Sequence, residues 1–124
     1  MKKALIIPIT ICVLIVLAFA TTSAYRVPTL ELKFPGSRPA VVKAVEFTVN
    51  GVKCRGTSNY FAQKIAGVPG VVAVTTYART NTATVEYDPS LTDPATLRAA
   101  YERPDTLEGK VYQIFTTRAQ RDLP

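Results

Sequence analysis

Cys54 is the residue of this chain best placed to do chemistry. It stands in "GVKCRGTSNYF", residues 51–61, just ahead of a stretch with helical periodicity. A thiol in that position is a soft ligand for a metal ion, or a nucleophile in thiol exchange. A two-sulfur metal loop would place a second cysteine three residues on, and that position holds Thr57. A threonine hydroxyl is a hard, weak ligand that keeps its proton near neutral pH, so a single thiolate must find its second ligand elsewhere. Lys53 and Arg55 flank the cysteine, and a helix N-terminus adds its dipole. Both favour the thiolate. Three readings are open: a metal ligand shared with another molecule, a thiol for redox or mixed-disulfide chemistry, and a small residue left over in a loop.

The rest of the composition narrows the chemistry. The 124 residues include no histidine, and methionine occurs only at position 1. Imidazole bases, Ser-His-Asp arrangements, histidine-ligated zinc and Met-rich copper sites are therefore excluded. Cys12 lies in an apolar run and reads as a small hydrophobe, which leaves Cys54 unpaired. Glu46 and Glu86 are candidate neighbours on adjacent strands, but a solvated sheet face explains them as well. No paired carboxylates stand in an evident cleft, so no enzyme is expected. The formal charge is +6. Its lysines and arginines are scattered rather than interleaved with aromatics, which argues against nucleic acid.

Short periodic elements must position the thiol. "VVKAVEFTV" at 41–49 alternates, with Val45, Phe47 and Val49 on one face. "TSNYFAQKIAGV" at 57–68 places Phe61, Ile65 and Val68 on one helical stripe, with Thr57 or Ser58 as N-cap. Tyr60 reads as a half-buried residue of that helix, with the rim of a binding face as its alternative. Gly56 either relieves the turn before the helix or leaves room for a partner. "PG" at 69–70 ends the helix. "VVAVTTYA" at 71–78 and "TATVEYD" at 82–88 are strands, the second with Ala83, Val85 and Tyr87 inward. "DPATLRAAYE" at 93–102 is a short helix capped by Asp93, with Pro94 at its first position. "RPDTLEG" is a loop, and "KVYQIFTT" at 110–117 is the last strand. The order β-α-β-β-α-β predicts an α+β, ferredoxin-like sandwich, with two helices on one face of an antiparallel sheet.

At this point the residues resemble a family. From about Val42 to Glu102 the chain is similar to heavy-metal-associated domains, the modules of copper chaperones, metal-pumping ATPases and mercury-binding proteins. The loop "GVKCRGT", the turn "GVPGVVAV" and the strand "TATVEYDP" carry the likeness. The resemblance places the family's first metal cysteine on Cys54, its second on Thr57 and its methionine on Val52. It implies binding or passing of a soft ion, Cu(I) or Hg(II), through Cys54. The missing ligand would come from a metal transporter, a second copy of the chain or a thiol-bearing client. A module that docks a membrane partner without metal is the alternative.

The N-terminus has its own reading. Lys2 and Lys3 precede an apolar run from Ala4 to Ala20, with weakly polar residues on to Tyr25. Residues 1–25 read as a signal anchor or a cleaved signal peptide, the latter with "AFA" or "TSA" as cleavage site. Membrane contact is expected through residues 4–24. The two lysines favour a cytoplasmic N-terminus, so the domain is expected outside the cytoplasm, membrane-anchored or secreted into the periplasm. Residues 26–40 are a linker in which "LELKF" is a candidate edge strand. Residues 41–117 are the domain, and residues 118–124 are expected as a frayed tail.

Overall fold

The computed structural model describes residues 2–24, 27–36 and 38–124. Among these, the helices are α1 (Lys2–Ala24), α2 (Arg55–Ala66) and α3 (Pro94–Glu102). The strands are β1 (Leu30–Lys33), β2 (Lys43–Asn50), β3 (Val71–Tyr77), β4 (Thr82–Tyr87), β5 (Asp105–Leu107), β6 (Lys110–Tyr112) and β7 (Thr116–Leu123). Five strands form one antiparallel sheet in the order β1-β3-β4-β2-β7, and β5 and β6 form a separate hairpin. Removing β1 leaves the ferredoxin-like order, with α2 and α3 as the two crossovers.

Strand alternation builds one wall of the core. Val45, Phe47 and Val49 of β2 and Ala83 and Val85 of β4 are fully buried, because every second side chain of a strand faces the same way. The helices supply the other wall through Phe61, Ala62 and Ile65 of α2 and Leu97 and Tyr101 of α3. Burying a side chain such as Phe61 or Leu97 contributes about 1.5–3 kcal/mol. The aromatic rings hold the layers in register. Phe61 packs 4.7 Å from Tyr101 and meets Phe115 edge-on at 5.4 Å, while Phe47 meets Tyr101 edge-on at 5.2 Å. Burial pushes the Tyr101 hydroxyl up to about 12, and it shares a hydrogen bond with Thr117.

Asp93 caps α3 as expected: its carboxylate accepts the Thr96 N–H at 2.7 Å, and Pro94 follows. The "PG" turn is equally specific. Gly70 has φ +95°, and a Cβ there would stand 2.7 Å from the Cβ of Leu91.

Several expectations are corrected. The last sheet strand is β7, Thr116–Leu123, not residues 110–117, and the supposed frayed tail 118–124 pairs with β2 from Ala44↔Leu123 onward. Backbone pairing with β2 holds this polar segment where apolar burial does not. Residues 110–112 instead turn back on β5. Within the linker 26–40, the candidate edge strand "LELKF" is borne out as β1, which pairs with β3 at the sheet edge. The two acidic strand residues lie on adjacent strands and share a sheet face, two register positions apart rather than directly opposite. Glu46 lies opposite Thr84 and pairs with Arg121 at 3.1 Å, while Glu86 lies opposite Ala44 and pairs with Arg38 at 3.8 Å.

The N-terminal run is helical throughout α1, and its apolar side chains from Ile6 to Phe19 are exposed. Among the described residues no helix is long and apolar enough to cross a membrane. The side chains of Lys2 and Lys3, and those of the expected cleavage sites beyond Phe19, lie outside the described residues, as does Tyr25.

Candidate metal-binding site

The loop that follows β2 is shaped by Gly51. Its φ is +109°, and a Cβ there would come within 2.4 Å of the Ile114 carbonyl oxygen and 2.9 Å of the Phe115 ring. Only glycine lets the chain pass this close to the segment leading into β7. Val52, at the position where the family resemblance has methionine, is fully buried. Its carbonyl accepts the Asn81 side-chain amide at 2.8 Å. Asn81 adopts the left-handed conformation, φ 56°, after the 3-10 turn Ala78–Thr80, a backbone state that asparagine tolerates. Its own carbonyl accepts the Val49 N–H at 2.7 Å.

Cys54 itself is the N-cap of α2, with extended backbone at φ −155°. The helix therefore starts at Arg55, two residues before the expected start, and neither Thr57 nor Ser58 is the cap. Thr57 sits in the first turn and completes a reciprocal capping box. Its hydroxyl accepts the N–H groups of Lys53 at 2.8 Å and Cys54 at 3.0 Å, and it can donate to the Cys54 carbonyl at 3.1 Å. Cysteine is not a favoured cap, so the sequence signal was displaced onto the threonine.

The sulfur is exposed and unpaired. Its pKa is lowered, first by the Thr57 backbone N–H, then by the Thr57 hydroxyl 3.6 Å away and the Gly56 N–H. The direction is the one read from the sequence. The cause is the first-turn donors rather than the flanking Lys53 and Arg55. Gly56 lies within α2, and a Cβ there would meet only the Cys54 sulfur, at 3.8 Å. The glycine is not needed to relieve a turn. It leaves one side of the thiol open.

A second cluster flanks the loop, one that no motif or periodicity in the sequence announces. The Lys64 ammonium is almost buried and pairs with the Asp105 carboxylate at 2.8 Å. It also donates to the Arg103 carbonyl and lies over the rings of Tyr60 and Phe115, at 5.7 and 5.9 Å. The neighbouring Asp105 carboxylate pushes the Tyr60 hydroxyl pKa up. Tyr60 is half-buried, as expected. Asp105 belongs to the β5–β6 hairpin, so its approach to α2 depends on a tertiary contact that periodicity does not report.

The donor set decides what the loop can hold. Among the described residues no group of three or more cysteine or acidic side chains could enclose a metal ion. Cys54 offers one soft ligand. The Thr57 oxygen already serves two backbone donors, so it makes a poor second ligand. Cys12 is a separate, exposed thiol on α1.

The fold and the site define a ferredoxin-like α+β module that presents a thiol at the N-terminus of its first crossover helix. Residues 46–103 match the family model of the heavy-metal-associated domain. That segment runs from within β2 to just past α3. Two solved structures align with most of the domain. One is the crystal structure of oxidised MerP from Ralstonia metallidurans CH34, at 20% identity, covering 64% of this chain and all of that one, with a TM-score of 0.48. The other is a copper-binding domain from HMA7, a P-type ATPase, at 20% identity, covering 63% of this chain and 96% of that one, with a TM-score of 0.47. No curated protein sequence matches the chain significantly.

Proposed function

We propose that this chain is a membrane-tethered heavy-metal-associated protein whose domain lies outside the cytoplasm and binds or passes a soft metal ion through Cys54. It is a carrier rather than an enzyme. One observation carries the reading: an exposed sulfur at a helix N-cap, with first-turn donors aimed at it. Such donors favour the thiolate, which is the metal-binding form. Thiolate sulfur selects Cu(I) or Hg(II) over harder ions. The likeness of residues 46–103 to the heavy-metal-associated domain supports the same cargo. The second ligand comes from another molecule: a membrane metal transporter, a second copy of the chain or a thiol-bearing client. The tether is the apolar run from Ala4 to Ala20, whose described apolar side chains in α1 are exposed and whose remaining apolar side chains lie outside the described residues; Lys2 and Lys3 before it favour a cytoplasmic N-terminus.

Titration of the purified chain with Cu(I) under strictly reducing conditions tests this. One ion bridging two chains should appear, with dimer formation that disappears in Cys54→Ser. A tightly bound ion on a strict monomer, without added thiol, would contradict the shared-ligand arrangement.

The use of the Thr57 hydroxyl by the loop backbone favours a second reading. Here the loop has become a plain helix cap, and the module docks a partner without metal. In that case Cys54→Ser would leave both metal uptake and partner binding unchanged.

A further inference from the structure

The topology brings the start of the domain and the Cys54 loop to one end of the sheet. β2 ends at Asn50 and leads into the loop. Its neighbour β4 begins there, with Thr82 opposite Thr48, and Thr82 also lies opposite Tyr77 at the end of β3. β1 begins there too, with Leu30 opposite Thr76. The Thr29 N–H donates to the Thr76 carbonyl at 2.7 Å, and its hydroxyl accepts the Ala78 N–H at 2.9 Å. Asn81 then ties this turn to the carbonyl of Val52.

α1 ends at Ala24. Five peptide steps separate Ala24 from Thr29, a span of at most about 18 Å however the chain runs between them. Three strand spacings, about 14 Å, separate β1 from β2 across the sheet. The opposite end, with Lys43, Tyr87 and Leu123, lies about 24 Å further along the strands.

Two other features gather at the near end. The β5–β6 hairpin is rooted there, because the Ile114 carbonyl and the Phe115 ring pack against Gly51. Leu107 and Tyr112 on one face of the hairpin are 66% and 46% exposed, Val111 on its other face is 69% exposed, and Ile114 in the segment leading into β7 is 40% exposed, so apolar side chains stand on both faces of this projecting hairpin. Lys53, Arg55, Arg79 and Lys110 are exposed at the same end, with Glu108 of the hairpin turn as the exposed acidic residue beside them. The far end is mixed in charge, with Asp88, Asp93 and Asp122 near Lys33 and Lys43 and with Glu86 paired to Arg38.

We infer that the Cys54 end of the domain faces the bilayer that holds α1, and that the β5–β6 hairpin rests on the surface of that bilayer. The inference rests on the membrane reading of α1. Apolar side chains with a tyrosine among them suit the interfacial layer, and the surrounding cations suit an anionic lipid surface. Charge complementarity and the short tether both point to lipid as the occupant. The consequence is that Cys54 is offered close to the membrane plane, where a ligand-sharing partner is itself a membrane protein.

The chain has no tryptophan, so single tryptophans report depth without background. The full chain is placed in vesicles of phosphatidylcholine and phosphatidylglycerol with brominated acyl chains, which quench tryptophan on contact. Three variants are compared: Leu14→Trp in α1, Val111→Trp in the hairpin and Leu91→Trp, an exposed apolar position at the far end. The expected result is a blue shift and loss of most emission for Leu14→Trp, a partial loss for Val111→Trp and none for Leu91→Trp. Quenching of Leu14→Trp without Val111→Trp, or equal quenching at 111 and 91, overturns the orientation and leaves the anchor standing. No quenching of Leu14→Trp overturns the anchor and the orientation with it.

Discussion

The Thr57 hydroxyl accepts the Cys54 backbone N–H at 3.0 Å and lies 3.6 Å from the Cys54 sulfur. Thr57 thus stands beside the Cys54 sulfur while its hydroxyl completes the capping box of α2. Introducing a second thiol in Thr57→Cys should have two opposed effects. Affinity for Cu(I) should rise by at least about tenfold, or about 1.4 kcal/mol. Stability should fall by about 1 kcal/mol, because a cysteine is a poorer acceptor for the Lys53 and Cys54 N–H groups. Competition titration and thermal melting measure the two separately. Unchanged affinity would mean that the loop geometry has diverged along with the residue.

The same contact sets the reactivity of Cys54. The Thr57 hydroxyl is one of the groups that lower its pKa. In the native protein the thiolate should therefore appear at lower pH than in a free cysteine, and alkylation should reach its plateau earlier as pH rises. Thr57→Val removes the hydroxyl but keeps the backbone N–H, so the rate profile should move up in pH only part of the way. Thr57→Ser should restore it. A profile in the parent that matches free cysteine would remove the physical basis for metal capture at this loop.

How much of this was legible depended on what each segment buries. β2 announced itself because Val45, Phe47 and Val49 alternate and are all buried. α3 announced itself through Asp93 and Pro94. β7 gave no such signal: most of "TTRAQRDL" is exposed, and its backbone pairing with β2 leaves no trace in side-chain periodicity. The hairpin did leave one. Glu108 and Gly109 both have positive φ, 52° and 79°, between Leu107 and Lys110, and a two-residue loop ending in glycine is a hairpin turn signal. At the site, Cys54 was legible as a thiol ahead of a helix. Its role as the cap was not, since Thr57 is the better cap by type and lies three residues on.

The buried ammonium of Lys64 depends on Asp105. Hydrogen bonds from Lys64 and then Tyr60 hold the Asp105 carboxyl below the usual carboxylate range. A depressed carboxylate contributes stability above its unfolded pKa near 4, and that contribution is lost as pH falls through the lower folded value. Asp105→Asn should therefore be less stable than the parent at neutral pH, and the gap should close in acid. Its loss should exceed that of Arg121→Ala, which breaks an exposed pair with Glu46 worth about 0–1 kcal/mol. Denaturant unfolding at a series of pH values distinguishes the two. A gap that does not narrow in acid would show that the pair adds nothing through its charge.

Residues 118–124 provide the sharpest contrast between composition and structure. By composition they are a polar tail, and their removal should then leave the melting temperature unchanged. In the structure they supply five of the register pairs that cover the edge of β2, from Ala44↔Leu123 to Thr48↔Ala119. At about 0.5–1.5 kcal/mol for each ladder hydrogen bond, deletion should cost roughly 5 kcal/mol, a large share of the 5–15 kcal/mol that holds a domain of this size. Deletion also exposes the edge of β2, the strand that leads into the Cys54 loop, and an open edge promotes association between chains. The truncated chain should therefore melt well below the parent, or without a cooperative transition, and should aggregate. Melting at the parent's temperature would mean that β7 adds nothing to the fold, and that the domain ends where its apolar residues do.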